Sequence, residues 1–140
     1  MNQLKNKLTL ISLLIFLISL FFNAFKVIEP KEIRDYHSLE LLLVGGISFL
    51  GGGIFEFFVW TANIWFLISI SSSFAKSFFI SIITGIIAFS IAFSFMLWDE
   101  VLVSESGREA RIYSLEIGYF LWLTSILFIT FSSIYLKMKK

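Results

Sequence analysis

The sequence predicts an all-α membrane protein with four transmembrane helices in an antiparallel bundle. Three observations carry that expectation. Hydrophobic residues make up 58 % of the 140-residue chain and charged ones 15 %, and a domain this small has too much surface for its volume to hide such a surplus from water. The apolar residues fall in four long runs, at about 8–27, 42–70, 78–98 and 117–136. The charges collect between those runs and at the chain ends, in a first loop 28–41, a second loop 99–116 and short flanks. The length suits a single membrane domain, residues 1–140.

Composition also narrows the chemistry. A net charge of +1 gives no basic footprint, so no nucleic-acid partner is expected. With no cysteine and one histidine, His37, there is no thiolate nucleophile, disulfide or multi-histidine metal centre to expect. No Walker loop, nucleophile elbow or paired intramembrane carboxylates are visible. The expectation is a non-enzymatic protein with no cofactor, no metal and no catalytic residues.

The first run follows Lys5 and Lys7, and from Leu8 to Phe25 it is broken only by Thr9, Ser12, Ser19 and Asn23. It is longer than a signal-peptide core and lacks a small-x-small cleavage site, so it reads as a span. The loop after it interleaves acids and bases around Pro30, the only proline, which fits a helix stop or the start of a short interfacial helix.

The second run is too long for one perpendicular helix. Some 30 residues at 1.5 Å rise would reach roughly 45 Å, against a hydrocarbon core of about 30 Å. It must tilt, break or lie partly in the interface. Gly45, Gly46, Gly51, Gly52 and Gly53 offer a bend or a close helix contact. Glu56, Trp60 and Asn63, spaced i, i+4, i+7, share one helical face. Glu56 is the only acid set deep inside an apolar run. A carboxylate well inside a bilayer costs at least about 2.5 kcal/mol. It is therefore either interhelical glue or part of a site that binds a polar ligand, ion or proton. Asn63 can cap a bend or bind a partner backbone, and Trp60 can pack or donate its indole N–H.

The third run carries Ser77, Ser81, Gly85, Ala88 and Ala92 at spacings of four, four, three and four. Such a small-residue stripe lets helix backbones approach closely. In the second loop Ser104 or Ser106 could cap a short interfacial helix with Glu105, Arg108, Glu109 and Arg111 on its wet side. The fourth run carries Gly118 as a packing residue, with Tyr119, Trp122 and Tyr135 as interfacial aromatics.

With four spans, the ends and the turn at Lys76 share one side. That side holds Lys5, Lys7, Lys76, Lys137, Lys139 and Lys140 and no acid. The orienting rule then favours cytoplasmic N- and C-termini, with loops 28–41 and 99–116 on the outer side of a bacterial inner membrane.

Two segments resemble a loose group of uncharacterised small bacterial membrane proteins. Trp60-Thr-Ala-Asn63-Ile-Trp65 is similar to their W-x-A-N-P stretch, and Gly118-Tyr-Phe-Leu-Trp122-Leu-Thr-Ser125 to the G-Y-x-L-W-L-x-S opening of their last helix. Ile64 stands where that group often has proline, so a proline kink does not carry over. The resemblance implies a four-span inner-membrane protein and no particular activity.

Functional readings of several classes follow. One is a subunit or interaction partner of a membrane assembly, or a homo-oligomer, joined through the small-residue faces of Gly45, Gly52, Gly53, Ser81, Gly85, Ala88, Ala92 and Gly118. A second is a small-ligand, ion or proton binding or transport protein using Glu56, Trp60 and Asn63. An immunity-type membrane protein is a third, supported by size and layout alone.

Overall fold

The computed structural model describes residues 1–140. The chain is mostly helical, and it also builds a four-stranded antiparallel sheet, which the all-α expectation did not include. Helix α1 (Asn2–Ser19) leads into strands β1 (Asn23–Ile28) and β2 (Ile33–His37) and a short helix α2 (Ser38–Gly45). A 3-10 turn at Ser48–Gly51 precedes α3 (Ile54–Trp60) and α4 (Ala62–Phe74). Helix α5 (Phe78–Ser94) ends in a 3-10 turn at Phe95–Leu97 and is followed by β3 (Glu100–Leu102), β4 (Glu109–Leu115) and α6 (Ile117–Met138).

Three helices are long and apolar enough to cross a membrane: Ile54–Phe74, in which α3 and α4 run on across Thr61, Phe78–Leu97 and Ile117–Met138. At 1.5 Å per residue each reaches roughly 30 Å, the thickness of a hydrocarbon core. Helix α1 completes the bundle but does not reach that measure, because its first two turns hold Asn2, Gln3, Lys5, Asn6 and Lys7. It also ends at Ser19, and the last residues of the expected span 8–27 form β1 instead.

The helices close a ring in which α4 packs on α5, α5 on α6, α6 on α1 and α1 on α4. Small polar side chains fill much of its interior. Ser69, Ser81 and Ser133 join three helices, with hydroxyl pairs of 3.1 Å (Ser69 to Ser81) and 2.7 Å (Ser81 to Ser133). Thr9 and Ser73 pair at 2.8 Å, and Ser12 donates to the Ser125 carbonyl at 2.8 Å. Lys5, expected as a flanking charge, is 7 % exposed and donates to the Phe74 carbonyl at the C-terminal end of α4. The outward positions of α1, α5 and α6, among them Leu14, Phe79, Ile86 and Phe131, are exposed and apolar.

The sheet runs β2-β1-β4-β3 and covers the bundle end opposite the chain termini. Phe25 pairs with Tyr36 on one side and Leu115 on the other, and Val101 pairs with Ala110. Phe25, Val27, Val101 and Ala110 are buried, and Phe25 meets Phe95 at the foot of α5 with ring centroids 5.1 Å apart. The two loops expected to hold interfacial helices are therefore largely hairpins. Pro30 sits in the β1–β2 turn, closed by the Glu29 N–H to Glu32 carbonyl bond of 2.9 Å, rather than at a helix end. Ser104 and Ser106 bond each other at 2.7 Å in the β3–β4 turn and cap no helix. Gly107 there has φ of +82°, which an L side chain rarely adopts.

Candidate functional site

The over-long second run breaks at its glycines, as its length requires. Gly52 takes φ of +89° and reverses the chain between α2 and α3. The α2 segment then folds back beside the spanning helix. Trp60 holds it there: Nε1 donates to the Leu42 carbonyl at 3.0 Å, one of the last carbonyls of α2 that lack a helical partner. Gly45 and Gly46 lie against the indole, and a Cβ at Gly45 would collide with it. Gly45 is thus a packing glycine, within one hairpin.

That break changes where Glu56 lies. It occupies the first turn of α3, at the sheet end of the bundle, not the middle of a span. Its Oε1 accepts the Leu102 N–H at 2.9 Å. Leu102 belongs to β3, an edge strand of the sheet, so the carboxylate occupies a backbone donor that would otherwise face outward. Gly53 makes room for this side chain, since a Cβ there would stand 3.2 Å from Glu56 Oε2 and 3.1 Å from the Ser48 carbonyl.

Asn63 repairs the junction of α3 and α4. The Ile64 N–H turns to the Thr61 carbonyl at 2.9 Å, and Asn63 Nδ2 donates to the Trp60 carbonyl at 3.0 Å. Asn63 Oδ1 accepts Trp122 Nε1 from α6 at 2.9 Å. Capping a bend, one of the two roles its amide allowed, is what the side chain does.

A cavity of about 260 Å³ opens where the bundle meets the sheet. Glu56, Trp60 and Asn63 all line it, so the face drawn from their spacing is brought together. Its walls are mainly hydrophobic, with Phe16, Phe25, Val59 and Phe95 among them, and α2 contributes Glu40, Leu41 and Leu42. Ser38 Oγ at the wall is buried without a hydrogen-bond partner. Burial pushes the Tyr36 phenol above its ordinary 10.0; Arg34 pulls against this, Glu29 and Glu40 add to it, and Arg108 opposes it.

The small-residue positions fall in two groups. Ser81, Gly85, Ala88 and Ala92 face the bundle interior, and Gly85 abuts Thr130 and Ser69. This stripe is consumed inside the chain and offers no face to a partner. Gly118 packs not on another helix but on the β1–α2 junction, against Ser38 and the Asn23 carbonyl.

Sequence reasoning assigned Tyr119 and Trp122 to the membrane interface. Tyr119 is instead 2 % exposed and donates to the Ala92 carbonyl at 2.7 Å, and both line the cavity. Their signal was present: Gly118, Tyr119 and Trp122 lie within one turn and share a face of α6. The two segments that carry the sequence resemblance meet through Asn63 and Trp122. No known family, curated protein or solved structure matches the chain.

Proposed function

We propose that this chain is a four-span integral membrane protein that binds a small, largely apolar molecule in the cavity between bundle and sheet, without converting it chemically. The observation that carries the reading is the convergence of Glu56, Trp60 and Asn63 on one cavity with mainly hydrophobic walls. Ligand sites have this make-up, an apolar enclosure with a few placed polar groups. The apolar outer positions of α1 support counting it as the fourth span beside the three longer helices. The six lysines gathered at the terminal end support cytoplasmic termini in a bacterial inner membrane, with the sheet outside.

A second reading, a subunit of a membrane assembly or a homo-oligomer, is favoured by a different surface from the small-residue stripe. Leu43, Leu50 and Phe55 on the α2–α3 hairpin are 71 %, 74 % and 75 % exposed. A protein partner seated there, or lipid, would cover them.

Native mass spectrometry of the protein released from mild detergent tests the binding reading. The expected result is a stoichiometric small-molecule adduct that disappears when the cavity is filled by Leu41→Trp. A bare protein mass in both, or an adduct indifferent to the filling, would overturn it.

A further inference from the structure

We propose that the molecule taken by this cavity is a hydrophobic organic cation, an ammonium or quaternary nitrogen carried on an apolar or aromatic body. This inference rests on the ligand-binding reading and names its chemistry. Two carboxylates, Glu40 and Glu56, line the cavity, and no lysine, arginine or histidine does. Of the other acids at the sheet end, Glu29 is met by Arg34 and Arg108, and Asp35 and Glu116 by Lys26, while Glu32, Asp99, Glu100, Glu105 and Glu109 have no base within 4.0 Å but line no part of this cavity. Glu40 and Glu56 have no cationic partner within 4.0 Å.

Glu56 divides its carboxylate. Oε1 is spent on the Leu102 N–H, while Oε2 has no hydrogen-bond donor within the chain. An anionic ligand here would meet two like charges. A purely apolar one would strip water from the carboxylates while offering nothing in return. A cation repays that cost. Trp60 and Trp122 add electron-rich rings of the kind that attract quaternary nitrogen, whereas Tyr36, also at the wall, already carries the Arg34 guanidinium 5.0 Å over its ring. The apolar walls then take the body of the molecule.

Three size-matched probes separate these chemistries: phenyltrimethylammonium, the isosteric neutral tert-butylbenzene, and benzenesulfonate. Each is titrated into the purified protein in an uncharged detergent, with quenching of tryptophan fluorescence as the readout, since Trp60 and Trp122 line the cavity. We expect saturable quenching by the cation, binding about tenfold or more weaker for the neutral probe, and none for the sulfonate. Glu56→Gln keeps an acceptor for Leu102, and Glu40→Gln changes an exposed position. The double variant should lose about tenfold or more in cation affinity and none for tert-butylbenzene.

Equal affinity for the cation and the neutral probe would overturn the inference and leave the binding reading standing. Failure of the cation to bind would overturn the inference, while the binding reading stands or falls on the adduct seen by native mass spectrometry. Repeating the cation titration in phosphatidylglycerol nanodiscs, with and without phosphatidylcholine, identifies the source. Displacement by phosphatidylcholine assigns the site to a choline headgroup, and undiminished binding assigns it to a free cation; either result supports the same chemistry.

Discussion

The carboxylate of Glu56 accepts the backbone N–H of Leu102 at 2.9 Å, tying the first turn of α3 to the edge strand β3 across 46 residues of sequence. The residue that looked most expensive in the sequence is thereby a joint between the helical layer and the sheet. Glu56→Gln preserves an acceptor and should keep thermal stability near wild type. Glu56→Leu leaves the Leu102 N–H without its partner and should cost about 1–3 kcal/mol. Amide exchange at Leu102 gives a local check, with protection kept in the first variant and lost in the second. Equal protection in both would show that the bond contributes nothing.

Asn63 serves two partners at once, accepting from Trp122 and donating to the Trp60 carbonyl. Asn63→Leu removes both bonds, whereas Trp122→Phe removes one. Intramembrane hydrogen bonds typically contribute about 0.6 to 2 kcal/mol. The expected order of loss is therefore Asn63→Leu above Trp122→Phe. A double-mutant cycle should return coupling of about 0.5 kcal/mol or more. Additive losses would mean that the indole and the amide are neighbours without an energetic link.

Glycine substitutions should separate a contact that can yield from one that cannot. At Gly118 an added methyl meets the Asn23 backbone carbonyl, at Gly85 the Thr130 side chain. Backbone cannot rotate away, so Gly118→Ala should cost about 1–3 kcal/mol and Gly85→Ala less, by unfolding in mixed micelles. The reverse order would mean that the bundle interior around Ser69, Ser81 and Ser133 is the more rigid of the two.

Tyr36 makes an alkaline prediction. Its phenol is raised above 10.0 in the folded chain, chiefly by burial. The unfolded chain therefore loses this proton first as pH rises. The contribution is complete below about pH 10 and falls away through the higher folded value. As pH rises above about 10, wild type should lose more stability than Tyr36→Phe, with the two curves parallel at lower pH. Parallel curves throughout would show that the phenol titrates alike in both states.

What could be read from the sequence follows from what hydropathy measures. The small-residue stripe of α5 and the break at Gly51–Gly53 were legible, because one depends on helical period and the other on a length that cannot fit a bilayer. The sheet was not. β1 begins inside an apolar run, where a short buried strand and a helix end look alike. In β4, Glu109, Arg111 and Tyr113 alternate with Ala110, Ile112 and Ser114, yet the interleaved charges also suit the wet side of a helix. The depth of Glu56 was misjudged for a related reason: the run counted α2 residues that lie beside the span as if they were in it. Its neighbours Trp60 and Asn63 were found by spacing alone, since spacing survives an error in depth. Trp122 was not, because its partner lies 59 residues away.

The orientation can be decided because the natural chain has no cysteine, so each introduced thiol is unique. Lys31 and Ser106 lie in the two hairpin turns at the sheet end, while Gln3 and Lys140 lie at the terminal end of the bundle. The count of lysine and arginine favours the terminal end inside by six to five, a narrow margin under a rule to which acids contribute little. The buried Lys5 narrows it further, since its amine is committed to the Phe74 carbonyl rather than to the cytoplasmic surface. We nevertheless expect Lys31→Cys and Ser106→Cys to react with a membrane-impermeant maleimide in intact cells, and Gln3→Cys and Lys140→Cys only after lysis. The opposite pattern would invert the protein and put the sheet in the cytoplasm. Labelling of Gln3→Cys and Lys140→Cys on opposite sides would remove α1 as a span, leaving three crossings.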